Sequence, residues 1–171
     1  LSVVVVNYRS WPDVERLARC LAGTPECARG VCELIVVDND SGGPVPDFFL
    51  DPPAHVHLLL RADNGGFAIG VNAGWRASRG RWLLLLNPDV TVAPELPAQV
   101  LARIAAHEAR PEGPPAIIGF ALRNPDGTRQ PSVGAEPGLF RSLWGLLRPR
   151  PSRKYQPERR VRPGPVPWVT G

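Results

Sequence analysis

Methionine is absent from all 171 residues, and cysteine and histidine occur only three times each. Without a Met even at its head, the chain reads as a trimmed piece of a longer polypeptide. An odd count of cysteines, Cys20, Cys27 and Cys32, argues against a closed disulfide framework, and their spacing matches no zinc pattern. A reduced, cytoplasmic setting is the expectation that follows. No apolar run approaches the roughly 18–20 residues that a membrane-spanning helix needs. No secretory leader is visible either, because the chain opens directly on the apolar run Ser2-Val3-Val4-Val5-Val6-Asn7. Acids are almost missing from one stretch: residues 138–163 hold eight of the twenty Lys and Arg against the single acid Glu158. The rest of the chain therefore carries twelve bases and fifteen acids, so the net charge of +4 belongs to one segment and not to the fold.

What is present is ordinary for a folded protein. Hydrophobic residues make up 43%, and 171 residues are enough for one domain with a real core. The first 110 residues alternate two periodicities. Ser2–Asn7 is a short β-branched strand. Trp11 to Leu21 follows as a helix with Val14, Leu17, Ala18 and Leu21 at helical spacing, Ser10 as N-cap and Pro12 and Asp13 in the first turn. Glu33–Asp38 is a second strand, 39–46 a polar Gly- and Pro-rich loop, and Val56–Leu60 a third strand. Residues 65–78 read as a helix with Phe67, Val71 and Trp75 on one stripe, weakened by its glycines. Trp82 to Leu86 is a fourth strand, buried and central. Ala93 to Ala106 is a helix carrying Leu96, Val100, Leu101 and Ile104. Strands buried on both faces and separated by helices predict a mainly parallel α/β sheet with helices on both faces. Beyond residue 110 the pattern predicts a strand over Ala116 to Leu122, a turn at Asn124-Pro125-Asp126-Gly127, and a return at Thr128 to Gln130. An amphipathic helix over Gly138 to Leu147, a mobile basic loop at about 148–165, and a last short strand from Val166 to Gly171 complete it.

The residues that invite chemistry lie where strands end. Arg81-Trp82-Leu83-Leu84-Leu85-Leu86-Asn87-Pro88-Asp89-Val90 runs a strand into an acceptor-rich turn, because Pro88 has no N–H to continue the ladder. Carboxyl ends of strands are where open α/β sheets bind ligands, and Asp89 there suits a hard cation bridging to a phosphate. Asp38 ends strand two at the same edge. Two readings stay open for it: a carboxylate taking the N3–H of uracil or thymine, or a bracket for the loop that follows. Tyr8 follows strand one, where it can stack on a base while Val6 and Asn7 contact base or ribose; an aromatic there can equally be core. Asn64-Gly65-Gly66 joins strand three to a helix and permits positive φ, so backbone N–H groups can face an anion. Asn72, eight residues on, is an unfavourable mid-helix residue that needs a reason. His55 and His57 sit two apart without an evident third metal ligand, and the cysteines read as packing residues.

Together these pieces resemble family 2 glycosyltransferases of the GT-A fold. Val3 to Ser10 is similar to the family's first nucleotide-binding strand, and Val36-Val37-Asp38-Asn39-Asp40-Ser41 to its base-binding turn. Asn64-Gly65-Gly66-Phe67 with Gly70-Val71-Asn72-Ala73-Gly74 resembles its Asn-x-Gly segments. Asn87-Pro88-Asp89 stands where the family carries its Asp-x-Asp metal motif, and Trp168-Val169-Thr170-Gly171 looks like the start of the floor of the donor-sugar site. The Asn-Gly-Gly-Phe and Asn-Pro-Asp versions are most like the rhamnosyltransferase-like branch. The resemblance implies an inverting glycosyltransferase that uses a dTDP- or UDP-sugar and Mg²⁺ or Mn²⁺. Its acceptor would be a glycan or a lipid-linked sugar in cell-surface polysaccharide synthesis. It implies nucleotide contacts from Val6, Asn7, Tyr8, Asp38, Asn64 and Asn72, sugar contacts from Asn87, Thr170 and Gly171, and a metal ligand in Asp89. Three departures stand out. Asn87 replaces the first Asp of the metal motif, Val71 stands where the family often has an Arg, and no catalytic base is identified before Gly171. The expectation is one GT-A domain, truncated at its C-terminus, with a nucleotide-binding core over 1–110 and the start of an acceptor-side region over 111–171.

Two other classes compete. A sugar-1-phosphate nucleotidyltransferase would carry a Gly-rich Arg/Lys loop after strand one, and Asn7-Tyr8-Arg9-Ser10-Trp11-Pro12 is not one. A non-catalytic binding module would use the basic segment. For nucleic acid it lacks aromatic interleaving and a recognised motif. A peripheral contact of 138–162 with the anionic inner face of the cell membrane fits it better, beside the plain alternative of a solvated loop.

Overall fold

A computed structural model describes residues 1–111, 113 and 117–130, together with the strand pairs 133–134 and 168–169. The chain divides into two compact units, Leu1–Pro114 and Pro115–Gly171. The first is a four-stranded parallel sheet. Its strands are β1 (Ser2–Asn7), β2 (Glu33–Asp38), β3 (Val56–Leu60) and β4 (Leu83–Leu86), in spatial order β3-β2-β1-β4. Its helices are α1 (Trp11–Ala22), α2 (Pro25–Ala28), α3 (Phe67–Ala77) and α4 (Leu96–Glu108), with a 3-10 turn at Asp47–Phe49. The short α2 and the 3-10 turn have no counterpart in the expected elements.

Strand alternation sorts the valines of β1 between two cores. Val3 and Val5 join Leu34, Val36 and Leu84 under Val14, Leu17 and Leu21 of α1 and Val100 and Ile104 of α4. Val4 turns the other way, with Ile35 and Val37, toward Ala73 of α3. Each fully buried Val or Leu contributes ~1.5–3 kcal/mol, so the first, broader cluster carries most of the stabilisation. Ser10 occupies the N-cap position of α1 without a side-chain cap; Asn7 Oδ1 instead accepts from its backbone N–H at 3.1 Å.

Three expectations are corrected. The face that α3 lays on the sheet is its glycines, not Phe67, Val71 and Trp75. Gly70 and Gly74 are buried, whereas Trp75 is 59% exposed. A Cβ on Gly70 would stand 2.7 Å from Val6 Cγ1, and one on Gly74 would stand 2.5 Å from Val4 Cγ1. The glycines that weaken the helix by propensity are what let it approach this closely. Next, β4 is not central: among the described residues it pairs with β1 alone and forms the sheet edge, leaving Leu85 45% exposed. Finally, no strand forms over 117–122, where Ile117 and Phe120 are exposed and, among the described residues, no neighbouring strand supplies a ladder.

In the second unit the Asn124–Gly127 turn is present, with Gly127 at φ 81° and its N–H on Asn124 O at 2.9 Å. Thr128–Gln130 returns as expected, through an Arg123–Arg129 bridge and Gln130 N–H on Leu122 O at 2.9 Å. Two hydrogen bonds from Thr128 to Asp126 Oδ1 hold that carboxyl below its ordinary value. β5 (Val133–Gly134), not anticipated, pairs antiparallel with β6 (Trp168–Val169), which falls within the expected last strand. The expected helix over 138–147 and the basic loop at 148–165 lie outside the described residues.

Candidate functional site

The chain builds β1, β2 and β3 outward in one direction, then returns across β1 to lay down β4 on its far side. The strand order thus switches between neighbours β1 and β4, and open α/β sheets bind ligands outside the carboxyl ends of strands at such a point. Asn7 and Tyr8 stand at that edge on the β1 side, and Asn87 and Asp89 on the β4 side. One strand spacing of ~4.8 Å further along lies Asp38, and beyond it, past β3, come Arg61 and the Asn64–Gly66 turn.

The rim from β1 to β3 is a hydrogen-bonded fabric. Asn7 is fully buried and in register with Asp38. Its Nδ2 donates to Asp38 Oδ1 at 2.7 Å and to Ser41 Oγ at 2.9 Å. Ser41 in turn donates its hydroxyl to Asp38 Oδ1 and its backbone N–H to Asp38 Oδ2 at 3.1 Å. Arg9 N–H also ends on Ser41 Oγ, at 2.9 Å, from a residue held at φ 57°. Of the two readings open for Asp38, these bonds are those of the loop bracket. With a carboxylate's roughly four acceptor positions, Asp38 keeps one on Oδ2 for anything else.

Asn39, next to it, is 2% exposed and faces the other way along the rim. Its Nδ2 donates to Asn64 Oδ1 at 2.6 Å, and its Oδ1 accepts from Arg61 Nε at 3.1 Å. Asn64 Oδ1 also takes Gly66 N–H at 3.0 Å, and Gly66 stands at φ 85° as the residue before α3. Neither Asn39 nor Arg61 was singled out from the sequence; only a polar residue following a strand end marked them.

The remaining candidates are less tied. Tyr8 is exposed, with the Arg9 guanidinium 5.0 Å from its ring centroid. Val6 is buried against Gly70, with its backbone in the ladder to Val37. Asn72 is exposed on the half of α3 turned away from Gly70 and Gly74, and it does not join the rim network. Asn87 and Asp89 form a turn closed by Val90 N–H on Asn87 O at 3.3 Å, with Asp89 exposed. Among the described residues, no group of three or more His, Cys, Asp and Glu is placed to hold a metal ion. Asp89 is therefore outside any such group, and Asn87 opens the same turn. Thr170 and Gly171 lie outside the described residues.

At the opposite, amino end of the sheet a cleft of about 500 Å³ is lined by Cys27, Cys32, Glu33, His55, His57 and Arg79, among others. Here the fold brings together what the sequence keeps apart. The Cys27 thiol is held below its ordinary value, first by the neighbouring Cys32 and further by Thr24 and His55. Both Cys27 and Cys32 are core residues, as expected. His55 is spent on Ala22 O at 3.1 Å, and His57 lies 3.5 Å from Glu33, so the two histidines do not share a ligand.

An open parallel sheet with helices on both faces and a polar rim at its carboxyl edge defines an open α/β domain. The chain belongs to glycosyl transferase family 2, which matches residues 2–142. It is 28% identical over 160 residues to the low-salt glycan biosynthesis hexosyltransferase Agl10 of Haloferax volcanii, covering 91% of this chain and 47% of that protein. It is also 28% identical over 189 aligned positions to the N-acetylglucosaminyl-diphospho-decaprenol L-rhamnosyltransferase of Mycobacterium tuberculosis, covering all of this chain and 59% of that one. The chain thus spans about half the length of these relatives. Among solved structures, S. aureus TarS 1-349 superposes with a TM-score of 0.49 at 20% identity, covering 63% of this chain and 32% of that one. Among the described residues, no helix is long and apolar enough to cross a membrane.

Proposed function

We propose that the whole protein is an inverting glycosyltransferase and that this chain is its donor-binding part. The observation that carries this is the placement of Asn7, Tyr8, Asp38, Asn64 and Asp89 along one rim that starts at the switch point, in a member of glycosyl transferase family 2. The donor is a dTDP- or UDP-sugar of hexose type, with rhamnose favoured by one relative's name, and that same name favours a lipid-diphosphate acceptor. The base lies toward β2, with Tyr8 offering its exposed ring and Asp38 Oδ2 its last acceptor position to a pyrimidine N3–H. Val6 and Asn7 shape the floor beneath it, and Asn87 faces the sugar, where Thr170 and Gly171 are also assigned; Asn72, on the outer half of α3, is given no contact.

The residues present fit a hard divalent cation only as a shared ligand. Asp89 gives one exposed carboxylate, and Mg²⁺ or Mn²⁺ completes its shell with substrate phosphates and water in sites of this kind. When bound, such a cation would neutralise charge on the departing diphosphate. The protein's own part is to hold the donor: Asp89 orients the diphosphate at β4, while the rim from β1 to β3 receives the nucleoside. No residue of this chain is assigned as the base that deprotonates the acceptor hydroxyl, so weak or no transfer is expected from the chain alone.

Calorimetric titration with dTDP, UDP and GDP, with and without Mn²⁺, tests this. Tighter binding of dTDP or UDP than of GDP, strengthened by Mn²⁺, is the expected result. No binding of any of the three would sink the proposal, and a preference for GDP would sink the pyrimidine assignment.

A further inference from the structure

The Asn39 amide stands between two loops that are far apart in sequence. On one side is Arg61, 22 residues on; on the other is Asn64, 25 residues on. The ends of this relay fix the orientation of both amides. Gly66 N–H is a backbone donor and Arg61 Nε–H a guanidinium donor, and neither can accept. Asn64 must therefore turn its oxygen to Gly66, Asn39 must turn its Nδ2 to that oxygen, and the oxygen of Asn39 is left to Arg61. The geometry has the same sense at every step: 3.0 Å, 2.6 Å and 3.1 Å. The relay is also anchored at its Arg61 end. Arg61 backbone N–H bonds Asp38 O at 3.0 Å, and its guanidinium is held by Asp63 at 2.7 Å. A Cβ on Gly65 would lie 3.2 Å from that guanidinium, so Arg61 also packs against the turn.

We propose that Asn39, with Arg61, is a positioning residue that locks the Asn64–Gly66 turn, and with it the entry to α3, into its donor-binding shape before any donor arrives. The turn needs such help. Gly65 and Gly66 lose more conformational freedom on ordering than any other residue type, and a Gly at positive φ has many alternatives when free. A buried amide that donates to one loop and accepts from another removes them by preorganisation, the economical route to affinity. Asn64 then works through its oxygen, as the acceptor hub of the relay. This rests on the donor-binding reading for its purpose, though not for its geometry.

The asymmetry of the relay gives the test. Asn64 only accepts, so Asn64→Asp keeps both bonds while Asn64→Ala loses them. Asn39 both donates and accepts, so Asn39→Asp sets oxygen against oxygen at Asn64 and opens the relay. Hydrogen exchange at the Gly66 amide reads this without nucleotide. Protection should fall about tenfold in Asn64→Ala, Asn39→Ala and Asn39→Asp and stay near wild type in Asn64→Asp; one lost hydrogen bond is of that order. Calorimetry with dTDP or UDP and Mn²⁺ should show Asn64→Asp losing less affinity than Asn64→Ala, by about the worth of one such bond. Asn39 is buried and its variants can fail to fold, but Asn64 is exposed, so its pair decides the matter alone. Equal protection in Asn64→Ala and wild type overturns the relay. Equal loss of affinity in Asn64→Asp and Asn64→Ala, with Gly66 still protected in Asn64→Asp, overturns the positioning role in favour of direct contact by the Asn64 amide. If the wild type binds no nucleotide, the donor reading fails, and the exchange pattern still supports or overturns the relay.

Discussion

β2 carries a carboxylate at each end, and the two ends are built differently. At the amino end Glu33 Oε1 accepts from Ser2 Oγ at 2.6 Å and from Arg79 N–H at 2.7 Å, and Gly80 N–H closes on Ser2 Oγ at 2.8 Å. Burial works against its charge, but these donors and His57 outweigh burial and hold its carboxyl below its ordinary value. At the carboxyl end Asp38 binds Asn7 and Ser41, and Asn39 carries the fabric on to Asn64 and Arg61. The amino-end knot ties β1 and β2 to the approach to β4, which serves stability. The carboxyl-end network lies along the edge where the proposed donor would bind, so under that proposal the same chemistry serves binding as well.

Breaking the rim should do the most damage. Asp38→Ala removes the partner of a buried Asn7 amide and of the Ser41 N–H and should cost about 2–4 kcal/mol. Urea midpoints measure this, and nucleotide affinity should fall with it by at least tenfold. A loss under about 0.5 kcal/mol, the range of a plain surface change, would show that the bracket holds nothing. Next come the two glycines that α3 sets at different heights on the sheet. Gly70→Ala and Gly74→Ala each force a methyl into a valine, with an expected cost of about 1–3 kcal/mol. Gly70 packs on Val6 near the rim and Gly74 on Val4 lower down, so only Gly70→Ala should also weaken nucleotide binding. Similar affinities for the two variants would mean that α3 tilts as a rigid rod.

At the amino end, Glu33→Gln should cost about 1–2 kcal/mol, less than a full charged hydrogen-bond set because the amide oxygen still accepts. Its nucleotide affinity should stay within twofold of wild type, and a larger change would erase the distinction between the two ends. The smallest effect is in pH. The folded Glu33 binds its proton less readily than the unfolded one. Its contribution is therefore fully present above the unfolded carboxylate value of about 4.3 and lost as pH falls through the lower folded value. Wild-type stability should decline over that acid window with a steeper slope than Glu33→Gln, and parallel slopes would remove Glu33 as the cause.

How much of this was legible depends on how local the signal is. β1, β2 and α1 follow from runs of β-branched residues and from the spacing of Val14, Leu17, Ala18 and Leu21, and the structure returns them within a residue. The packing face of α3 was misread because a glycine's worth is set by what it approaches, here Val6 and Val4, far away in sequence. β4 looks central because four leucines hide equally well under a helix or against a neighbouring strand, and pairing alone decides which. Asp38 was visible as a strand-end acid, but its spending on Asn7 and Ser41 was not. The nucleotide, sugar and metal assignments rest on resemblance and strand-end position, and the titrations above are their test.

The sequence by itself determined the class of fold, its strand ends and the family, because hydrophobic periodicity and turn residues act over a few neighbours along the chain. Tertiary structure alone decided which polar residues at those ends are spent within the protein and which stay open. Hydrogen bonds are claimed by whatever partner the sheet order brings near, and that order sets Asn39 between Arg61 and Asn64.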